Sequence, residues 1–332
     1  MPHSPLRVVV ADANLVPHRS LLEATVPAGT ELVWLDRFDE TAVIDALPGT
    51  DVLVGARFTT AMTSAADSLR LVHVGGAGYD GVDADAIPAG TQVANTFNHE
   101  ASIAEYTAAM TIVLRRQLLD QDRALRAGQW ASSVYEPHRA QPLSLQGATV
   151  GIVGFGHIGQ RTWEIFKALG ARGVALTGRG GGPAAEEVGL EWTRGPEGLA
   201  DLLAASDVVV LCLPLSDATR HLVGAAQLAA MRPGAILVNV SRGPLVDPDA
   251  LLDALRERRI GGAVLDTWYS YPTSGSTARP AEQPFEELDN VLMTPHISGV
   301  TSQTFAGRAK DIGQNIARLQ QGESLMNVVI TR

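Results

Sequence analysis

The stretch TVGIVGFGHIGQRT, residues 149–162, constrains the fold of this chain more than any other. An apolar run at residues 150–153 predicts a buried strand, and residues 163–169 continue with helical spacing. The turn between them fits G-x-G-x-x-G with Gly154, Gly156, His157, Ile158 and Gly159. Such glycines allow a tight turn, a close approach to a pyrophosphate and close packing of the helix on the strand. We therefore predict a dinucleotide site at the helix N-terminus, with a plain glycine turn as the alternative.

Length and composition bound the remaining possibilities. A chain of 332 residues predicts two domains, and 45% apolar with 19% charged residues is typical of a globular protein. A net charge of -10 argues against general binding to nucleic acid or to anionic membranes. The start lacks a signal-peptide pattern and no stretch could span a bilayer, so we expect a cytoplasmic protein. Cys212, the only cysteine, lies in the apolar run 208–213 and is expected to be a buried strand residue, not a nucleophile.

Alternating strand and helix patterns on both sides of the glycine motif predict an α/β fold with doubly wound parallel sheets. The predicted strands are residues 6–11, 31–35, 52–55, 71–74, 150–153, 174–176, 207–213, 235–240 and 262–265. The predicted helices are residues 40–47, 102–128, 163–169 and 249–256, and residues 271–284 are expected to form an irregular surface loop.

Polar and glycine residues follow several of the early strands, where loops at the carboxyl ends of parallel strands form binding crevices. Arg57 follows the third strand, and Gly75, Gly76 and Ala77 follow the fourth. Backbone amides in a glycine-rich loop suit an anion such as a carboxylate. A solvated arginine and a structural turn are the alternatives. His99, before the long predicted helix, could equally be a capping or packing residue.

The residues after the strand at 174–176 bear on the choice of cofactor. An NAD site is expected to have an acidic residue there to bind the ribose hydroxyls, and this chain has Thr177, Gly178 and Arg179 instead. A glycine leaves room for a 2′-phosphate and an arginine can neutralise it. We therefore favour NADP(H). NAD(H) is the alternative, with Arg179 as an exposed loop residue.

Three further clusters stand at strand ends: NVSRG at 239–243, LDTWYSY at 265–271 and TPHISG at 294–299. Together with the early glycine loop, GFGHIG and the closing NVV at 327–329, they closely resemble the D-isomer-specific 2-hydroxyacid dehydrogenases, in the same order and over the full length. This resemblance implies two Rossmann-like domains. A smaller, discontinuous, flavodoxin-like substrate domain comprises residues 1–98 and 300–332, and a cofactor domain comprises residues 99–299. It also implies a homodimer that pairs through the cofactor domains, by the helix near Ile103 and the arm after it.

The resemblance also implies roles for individual residues. Arg242 matches the arginine that holds the substrate carboxylate and carbonyl oxygen, and His296 matches the histidine that protonates this oxygen as hydride arrives. These roles are chemically sound because hydride addition builds negative charge on that oxygen, which a fixed cation and a proton donor stabilise. The expected substrate contacts are Arg57, Gly75, Gly76, Ala77, His99 and Tyr271. Beyond the glycine motif, the expected cofactor contacts are Gly178, Arg179, Leu213, Pro214, Thr219, Val240, Ser241, Asp266 and Gly299.

One position departs from the family pattern. Tyr271 stands where the family has a glutamate that pairs with the histidine and stabilises its protonated form. A neutral phenol cannot do this, so we predict a lower pKa for His296 than in relatives and a more acidic optimum for reduction. The formate dehydrogenases, which this chain also resembles here, lack the glutamate but carry an amide. If another carboxylate replaces it, Glu100 is the first candidate.

These observations leave three functions open. The first is NADP(H)-preferring reduction of a small 2-oxo acid of the glyoxylate or hydroxypyruvate type, because TGR resembles the NADPH-using glyoxylate/hydroxypyruvate reductases. The second is a dehydrogenase for a phosphonate, formate or other unusual oxyanion, encouraged by the missing glutamate. The third is a dinucleotide-sensing interaction protein like the corepressors of this family. No metal site is expected.

Overall fold

The computed structural model describes residues 5–178, 184–272 and 275–332; Arg179 lies outside these ranges. In them the strands are β1 (Arg7–Val10), β2 (Glu31–Trp34), β3 (Val52–Val54), β4 (Leu71–His73), β5 (Gln92–Ala94), β6 (Thr149–Val153), β7 (Arg172–Leu176), β8 (Trp192–Arg194), β9 (Val208–Leu211), β10 (Ile236–Asn239), β11 (Gly262–Leu265), β12 (Val291–Met293) and β13 (Val328–Thr331). The α-helices are α1 (Arg19–Thr25), α2 (Glu40–Ala46), α3 (Glu100–Arg115), α4 (Leu118–Arg126), α5 (His157–Ala168), α6 (Ala185–Val188), α7 (Leu199–Ala205), α8 (Ala225–Ala230), α9 (Pro248–Arg256) and α10 (Ser302–Gln321).

The chain forms two compact units. The N-terminal unit comprises the residues up to Asn98 together with Thr301–Arg332, and the central unit comprises His99–Val300. Each unit is built on one sheet with helices on its faces, so the prediction of two Rossmann-like α/β domains is confirmed.

The N-terminal unit has a six-stranded sheet in the order β13-β5-β4-β3-β1-β2. All neighbours are parallel except β13, which pairs antiparallel with β5 at the edge. Strands β1, β3 and β4 consist almost entirely of buried apolar residues, as expected of parallel strands covered on both faces. Helices α1 and α10 pack together on one of these faces. The carboxyl ends of four parallel strands therefore bring the loops after β1, β3, β4 and β5 to one edge.

The central unit has a seven-stranded, all-parallel sheet in the order β12-β11-β10-β9-β6-β7-β8. All five residues of β6 are buried, which explains the continuous apolar run in the sequence. The chain order reverses beside β6, because β7 lies on one side of it and β9 on the other. Such a switch point is where doubly wound sheets bind ligands, and the glycine motif follows β6 directly.

The sequence-based prediction of one helix over residues 102–128 is wrong. The structure has α3 and α4 instead, separated at Gln117, whose backbone is left-handed with φ 53° and ψ 38°. The apolar spacing continues through this break, so the pattern alone gave no sign of it. The prediction also omitted β5 and α10, gave no bounds for α1, α6, α7 and α8, and omitted the three strands β8, β12 and β13. The three strands are short and no residue in them is buried, so they lack the apolar run that marks the inner strands.

Candidate active site

The three glycines of the motif in the central unit each have a different steric environment. Gly154 has φ 100°, and a Cβ there would stand 2.6 Å from the Cys212 carbonyl oxygen. A Cβ at Gly159 would collide with the carbonyl oxygen of Gly154, so only a glycine lets α5 pack this closely on the turn. Gly156 caps α5 and faces open space, with nothing within 4 Å of the Cβ position.

This cradle fits a dinucleotide pyrophosphate. The open side of Gly156 leaves room for a phosphate next to the first turn of a 12-residue helix, where backbone N–H groups and the helix dipole favour an anion. His157 is exposed and Ile158 half-buried in that first turn. The structure therefore places all five motif residues predicted to contact the cofactor at the end of β6.

Other predicted cofactor residues lie in loops after β9 and β10. Thr219 donates its hydroxyl hydrogen to the Pro214 carbonyl oxygen at 2.9 Å, which closes the loop after β9. The Ser241 hydroxyl donates to the Leu213 carbonyl oxygen and ties this loop to the one after β10. Val240, the residue that follows β10, is buried.

The end of β7 is only partly described. Gly178 is exposed, with open space around its Cβ position. Arg194, which the sequence analysis did not single out, lies on β8 in register with Leu176. Its backbone carbonyl oxygen accepts a hydrogen bond from the Thr177 N–H at 2.9 Å. Its guanidinium stacks over Trp192 and pairs with Asp201.

A buried amide shapes the turn that carries Arg242. The Asn239 side chain donates to the Arg242 carbonyl oxygen at 2.9 Å and accepts from the Ser241 N–H at 3.1 Å. The next residue, Gly243, has no room for a Cβ because the Trp268 carbonyl oxygen occupies that position. The half-buried Arg242 is thus held at the carboxyl end of β10. Sequence reasoning missed Asn239, although the NVSRG cluster contains it.

Asp266 holds the loop that carries His296. Its carboxylate is fully buried and accepts hydrogen bonds from the Thr294 hydroxyl at 2.6 Å, the Ile297 N–H at 2.9 Å and the Ser298 N–H at 2.9 Å. His296 between them has a left-handed backbone with φ 58°. These bonds turn the loop after β12 at His296. The cofactor contact expected of Asp266 stays a prediction.

Tyr271 interacts with His296. Its hydroxyl oxygen lies 3.1 Å from Nδ1 of His296 and accepts a hydrogen bond from the Trp268 N–H at 3.1 Å. Partial burial lowers the pKa of His296 below its ordinary value, the positive charge of Arg242 lowers that pKa further, and Asp266 raises it. Burial also raises the pKa of Tyr271, so the phenol is neutral. Glu100 lies in the first turn of α3.

In the N-terminal unit, residues 75–77 form a loop after β4 whose carbonyl groups are held from one side. The Thr96 N–H donates to the Gly76 carbonyl oxygen at 3.2 Å, and the Asn95 amide donates to the Ala77 carbonyl oxygen at 2.8 Å. Because N–H and C=O point in opposite directions in a trans peptide, the N–H groups of Ala77 and Gly78 point away from these donors. An anion on the other side of the loop would meet these two N–H groups, and the substrate contact expected of residues 75–77 stays a prediction.

Three residues discussed in the sequence analysis remain: Arg57 is exposed, His99 is buried and Cys212 is half-buried. Arg57 is exposed and stacks over Phe38, with its guanidinium carbon 5.7 Å from the ring centroid. His99 is buried at the start of α3, and its Cβ lies 3.3 Å from the Cβ position of Gly299. Cys212 was expected to be a buried strand residue, but it follows the end of β9 at Leu211 and is half-buried. Burial raises the pKa of its thiol to about 12, which agrees with the expectation that it is not a nucleophile.

The described part of the chain has neither a membrane-spanning helix nor a cluster of metal ligands. None of its helices has both the length and the apolar character needed to cross a membrane. No group of three or more His, Cys, Asp or Glu residues in that part could hold a metal ion.

Comparisons with known proteins agree with this geometry. A family model for the NAD-binding domain of D-isomer-specific 2-hydroxyacid dehydrogenases matches residues 108–298. A glyoxylate reductase from Aeropyrum pernix is 34% identical over 282 residues, which cover 83% of this chain and 81% of the relative. A D-3-phosphoglycerate dehydrogenase from Mycobacterium leprae is 32% identical over 93% of this chain, which spans only 57% of that relative.

The fold agrees as well. The solved structure of the TT0316 protein from Thermus thermophilus matches with a TM-score of 0.80 and 29% identity, covering 98% of this chain and 100% of that one. The comparisons give no support to a phosphonate dehydrogenase or to a dinucleotide sensor. From its motifs, its fold and these relatives, the chain belongs to the D-isomer-specific 2-hydroxyacid dehydrogenase family and is an NAD(P)-dependent oxidoreductase of small 2-oxo or 2-hydroxy acids.

Proposed function

We propose that this enzyme is an NADP(H)-preferring reductase of a small 2-oxo acid of the glyoxylate or hydroxypyruvate type. The observation that carries the proposal is the grouping of Arg242, His296 and Tyr271 in the central unit, which also contains the dinucleotide cradle. The similarity to a glyoxylate reductase supports the choice of substrate.

Arg242 is assigned to hold the carboxylate and carbonyl oxygen of the substrate. Its guanidinium has a planar fork of donors that matches a carboxylate and keeps its charge at every working pH. One of its nitrogens, Nη1, donates to the Ser241 carbonyl oxygen at 2.8 Å, which limits the rotation of the side chain. A fixed cation next to the reacting carbonyl stabilises the negative charge that develops on its oxygen.

His296 is assigned to deliver the proton. Because the Trp268 N–H already donates to the Tyr271 oxygen, the phenol hydrogen can be donated to Nδ1 of His296. In the imidazolium that reduction requires, the Nδ1–H donates to the Tyr271 oxygen instead, and the hydrogen on Nε2 is the proton available to the substrate. Tyr271 thus orients the ring in both protonation states without adding a negative charge. The bound dinucleotide supplies the hydride, and His296 protonates the oxygen in the same reduction.

The preference for NADP(H) is supported by the residues that follow β7. Thr177 and Gly178 stand where an acidic residue would repel a 2′-phosphate, and the open space at Gly178 leaves room for this group. Arg179 follows in the sequence, and Arg194, which is paired with Asp201, lies in the neighbouring strand. We assign 2′-phosphate recognition to Arg179.

We further assign the N-terminal unit to substrate binding, through residues 75–77, and the central unit to cofactor binding. Homodimerisation through the central unit is supported by its exposed apolar side chains, which concentrate at Leu118, Leu119, Leu125, Trp130, Val134, Tyr135 and Leu143. Light scattering of the purified protein should give the mass of a dimer. The Trp130→Glu variant should shift it towards the monomer.

The test of function is the initial rate of NADPH and NADH oxidation with glyoxylate, hydroxypyruvate, pyruvate and a phosphonate analogue of a 2-oxo acid. We expect turnover with glyoxylate or hydroxypyruvate and a higher kcat/KM for NADPH. The Arg179→Ala variant should lose this preference, whereas Arg256→Ala, which alters an exposed arginine of α9, should keep it. Turnover that favours NADH would refute the cofactor assignment alone. Absence of turnover with any 2-oxo acid would refute the function.

A further inference from the structure

Arg308 on α10 is an arginine that the proposed mechanism does not use. Its Nε donates to the Phe97 carbonyl oxygen at 3.0 Å, and its guanidinium carbon lies 4.9 Å from the centroid of the Phe305 ring. A hydrogen bond at one edge and an aromatic ring below hold the guanidinium plane in one orientation. Phe97 follows Asn95 and Thr96, the two residues that hold residues 75–77. Arg308 therefore hydrogen-bonds to the same segment, residues 95–97, that holds the glycine loop.

The guanidinium also reaches the glycine loop itself. A Cβ at Gly76 would stand 3.8 Å from Nη1 and 3.9 Å from Nη2 of Arg308. A permanent positive charge thus lies beside Gly76 of this loop. A guanidinium about 4 Å from a carboxylate attracts it by more than thermal energy at the effective dielectric constant of a protein surface.

Asp12, in the loop after β1, carries the opposing charge. Its Oδ2 occupies the space beside Gly75, where a Cβ would lie only 2.5 Å away. Its Oδ1 accepts a hydrogen bond from the Asn14 N–H at 3.0 Å, which fixes the carboxylate. Burial raises the pKa of Asp12, and the hydrogen bonds from Asn14 and the charge of Arg308 oppose part of this rise. The loop is thus bordered by one cation and one anion.

We propose that Arg308 is a specificity-determining residue that strengthens binding of the substrate carboxylate at residues 75–77, and that Asp12 weakens the same binding by repulsion. The inference rests on the proposed function, because it takes this loop as a carboxylate site. It names the recognised group as a single carboxylate next to the carbonyl carbon. It also predicts that removing the charge of Arg308 raises KM and that removing the charge of Asp12 lowers it. If the two residues only stabilised the loop as an ion pair, both changes would raise KM.

The experiment measures KM and kcat for glyoxylate in the full-length enzyme with saturating NADPH, together with the thermal unfolding temperature. Arg308→Gln should raise KM about tenfold with little change in kcat, because binding in the ground and transition states is weakened equally. Arg308→Lys should recover most of the affinity, since the charge remains. Asp12→Asn should lower KM. Arg318→Gln, which alters a half-buried arginine in the last turn of the same helix, is the matched control and should behave like the wild type.

Three results would contradict the inference. An unchanged KM in Arg308→Gln would exclude a role in binding. A raised KM in Asp12→Asn, with both variants unfolding at lower temperature, would show that the two residues only stabilise the loop. Absence of turnover in the wild type would overturn the proposed function and this inference with it, which distinguishes that case from the other two.

Discussion

The hydroxyl oxygen of Tyr271 lies 3.1 Å from Nδ1 of His296. The two rings are tilted by 50° with their centroids 5.7 Å apart, so they also pack against each other. A neutral hydrogen-bonding group therefore contacts Nδ1 of the imidazole, the place where the family resemblance led us to expect a glutamate. The pKa of His296 lies below its ordinary value, with partial burial as the main cause, and the expectation of a lower pKa than in relatives stays a prediction. Within residues 5–178, 184–272 and 275–332, the carboxylate that raises this pKa is Asp266 and not Glu100.

The pH dependence of catalysis should reflect this lowered pKa. Reduction needs a protonated donor, so kcat/KM for the 2-oxo acid should fall as pH rises through an apparent pKa below the ordinary imidazole value of 6.5. Oxidation of the 2-hydroxy acid needs the neutral base and should rise over the same interval. Tyr271→Glu should shift the fall in reduction and the rise in oxidation to higher pH by about one unit or more, because a nearby carboxylate favours the imidazolium. Tyr269→Phe, which removes a hydroxyl bonded to Val246, is the control. Identical profiles for Tyr271→Glu and the wild type would refute the role of position 271.

Loss of His296 should separate catalysis from cofactor binding. In His296→Ala we expect kcat to fall by about 10²- to 10⁴-fold, the usual contribution of a general acid. The Kd for NADPH, measured by fluorescence, should stay within about twofold of the wild type because the cradle at Gly156 is untouched. A variant that retained full turnover would show that another group delivers the proton.

Gly154→Ala should lower the stability of the fold, whereas Gly156→Ala should weaken the binding of NADPH. At Gly154 a side chain is strained by the positive φ and meets the Cys212 carbonyl oxygen, so we expect a loss of about 1–3 kcal/mol of stability. At Gly156, with φ -84° and open space, the fold should tolerate alanine. The added methyl group would instead occupy the space assigned to the pyrophosphate and raise the Kd for NADPH. Thermal unfolding and NADPH titration of both variants test this, and equal unfolding temperatures would contradict it.

The buried His73 should make the N-terminal unit sensitive to acid. Burial lowers its pKa from 6.5 to about 4, and the Asn315 amide donates to its Nε2 at 2.9 Å, which requires an unprotonated nitrogen. Because the unfolded state binds the proton more tightly, stability present above pH 6.5 is lost as pH falls towards 4. The full loss is about 3 kcal/mol.

The check compares the unfolding temperature of the wild type with that of His73→Gln between pH 7 and pH 4. The variant should be less stable at pH 7 but should lose less stability on acidification. His138→Gln, at an exposed position, should follow the wild type. A pH dependence unchanged in His73→Gln would assign the acid sensitivity to other groups.

The sequence by itself determined the α/β class, the inner strands and the position of the cofactor cradle. These features are local: a buried parallel strand requires a continuous apolar run, and the backbone at Gly154 and Gly159 accepts only glycine. The same locality explains the omission of β8, β12 and β13, whose half-buried or exposed residues lack that run. It also explains the undetected break at Gln117, because a single left-handed residue leaves the apolar spacing on both sides intact.

Only the tertiary structure decided which distant side chains meet. Tyr271 contacts His296 across 25 positions, Asp266 holds Ile297 across 31, and Arg308 holds Phe97 across 211. No periodicity encodes these separations, because they depend on the order of strands in each sheet and on which loops share a carboxyl edge. The sequence therefore identified Tyr271 as a departure from its family. The fold was needed to show that its hydroxyl contacts the imidazole, and that Arg308 and Asp12 border the glycine loop.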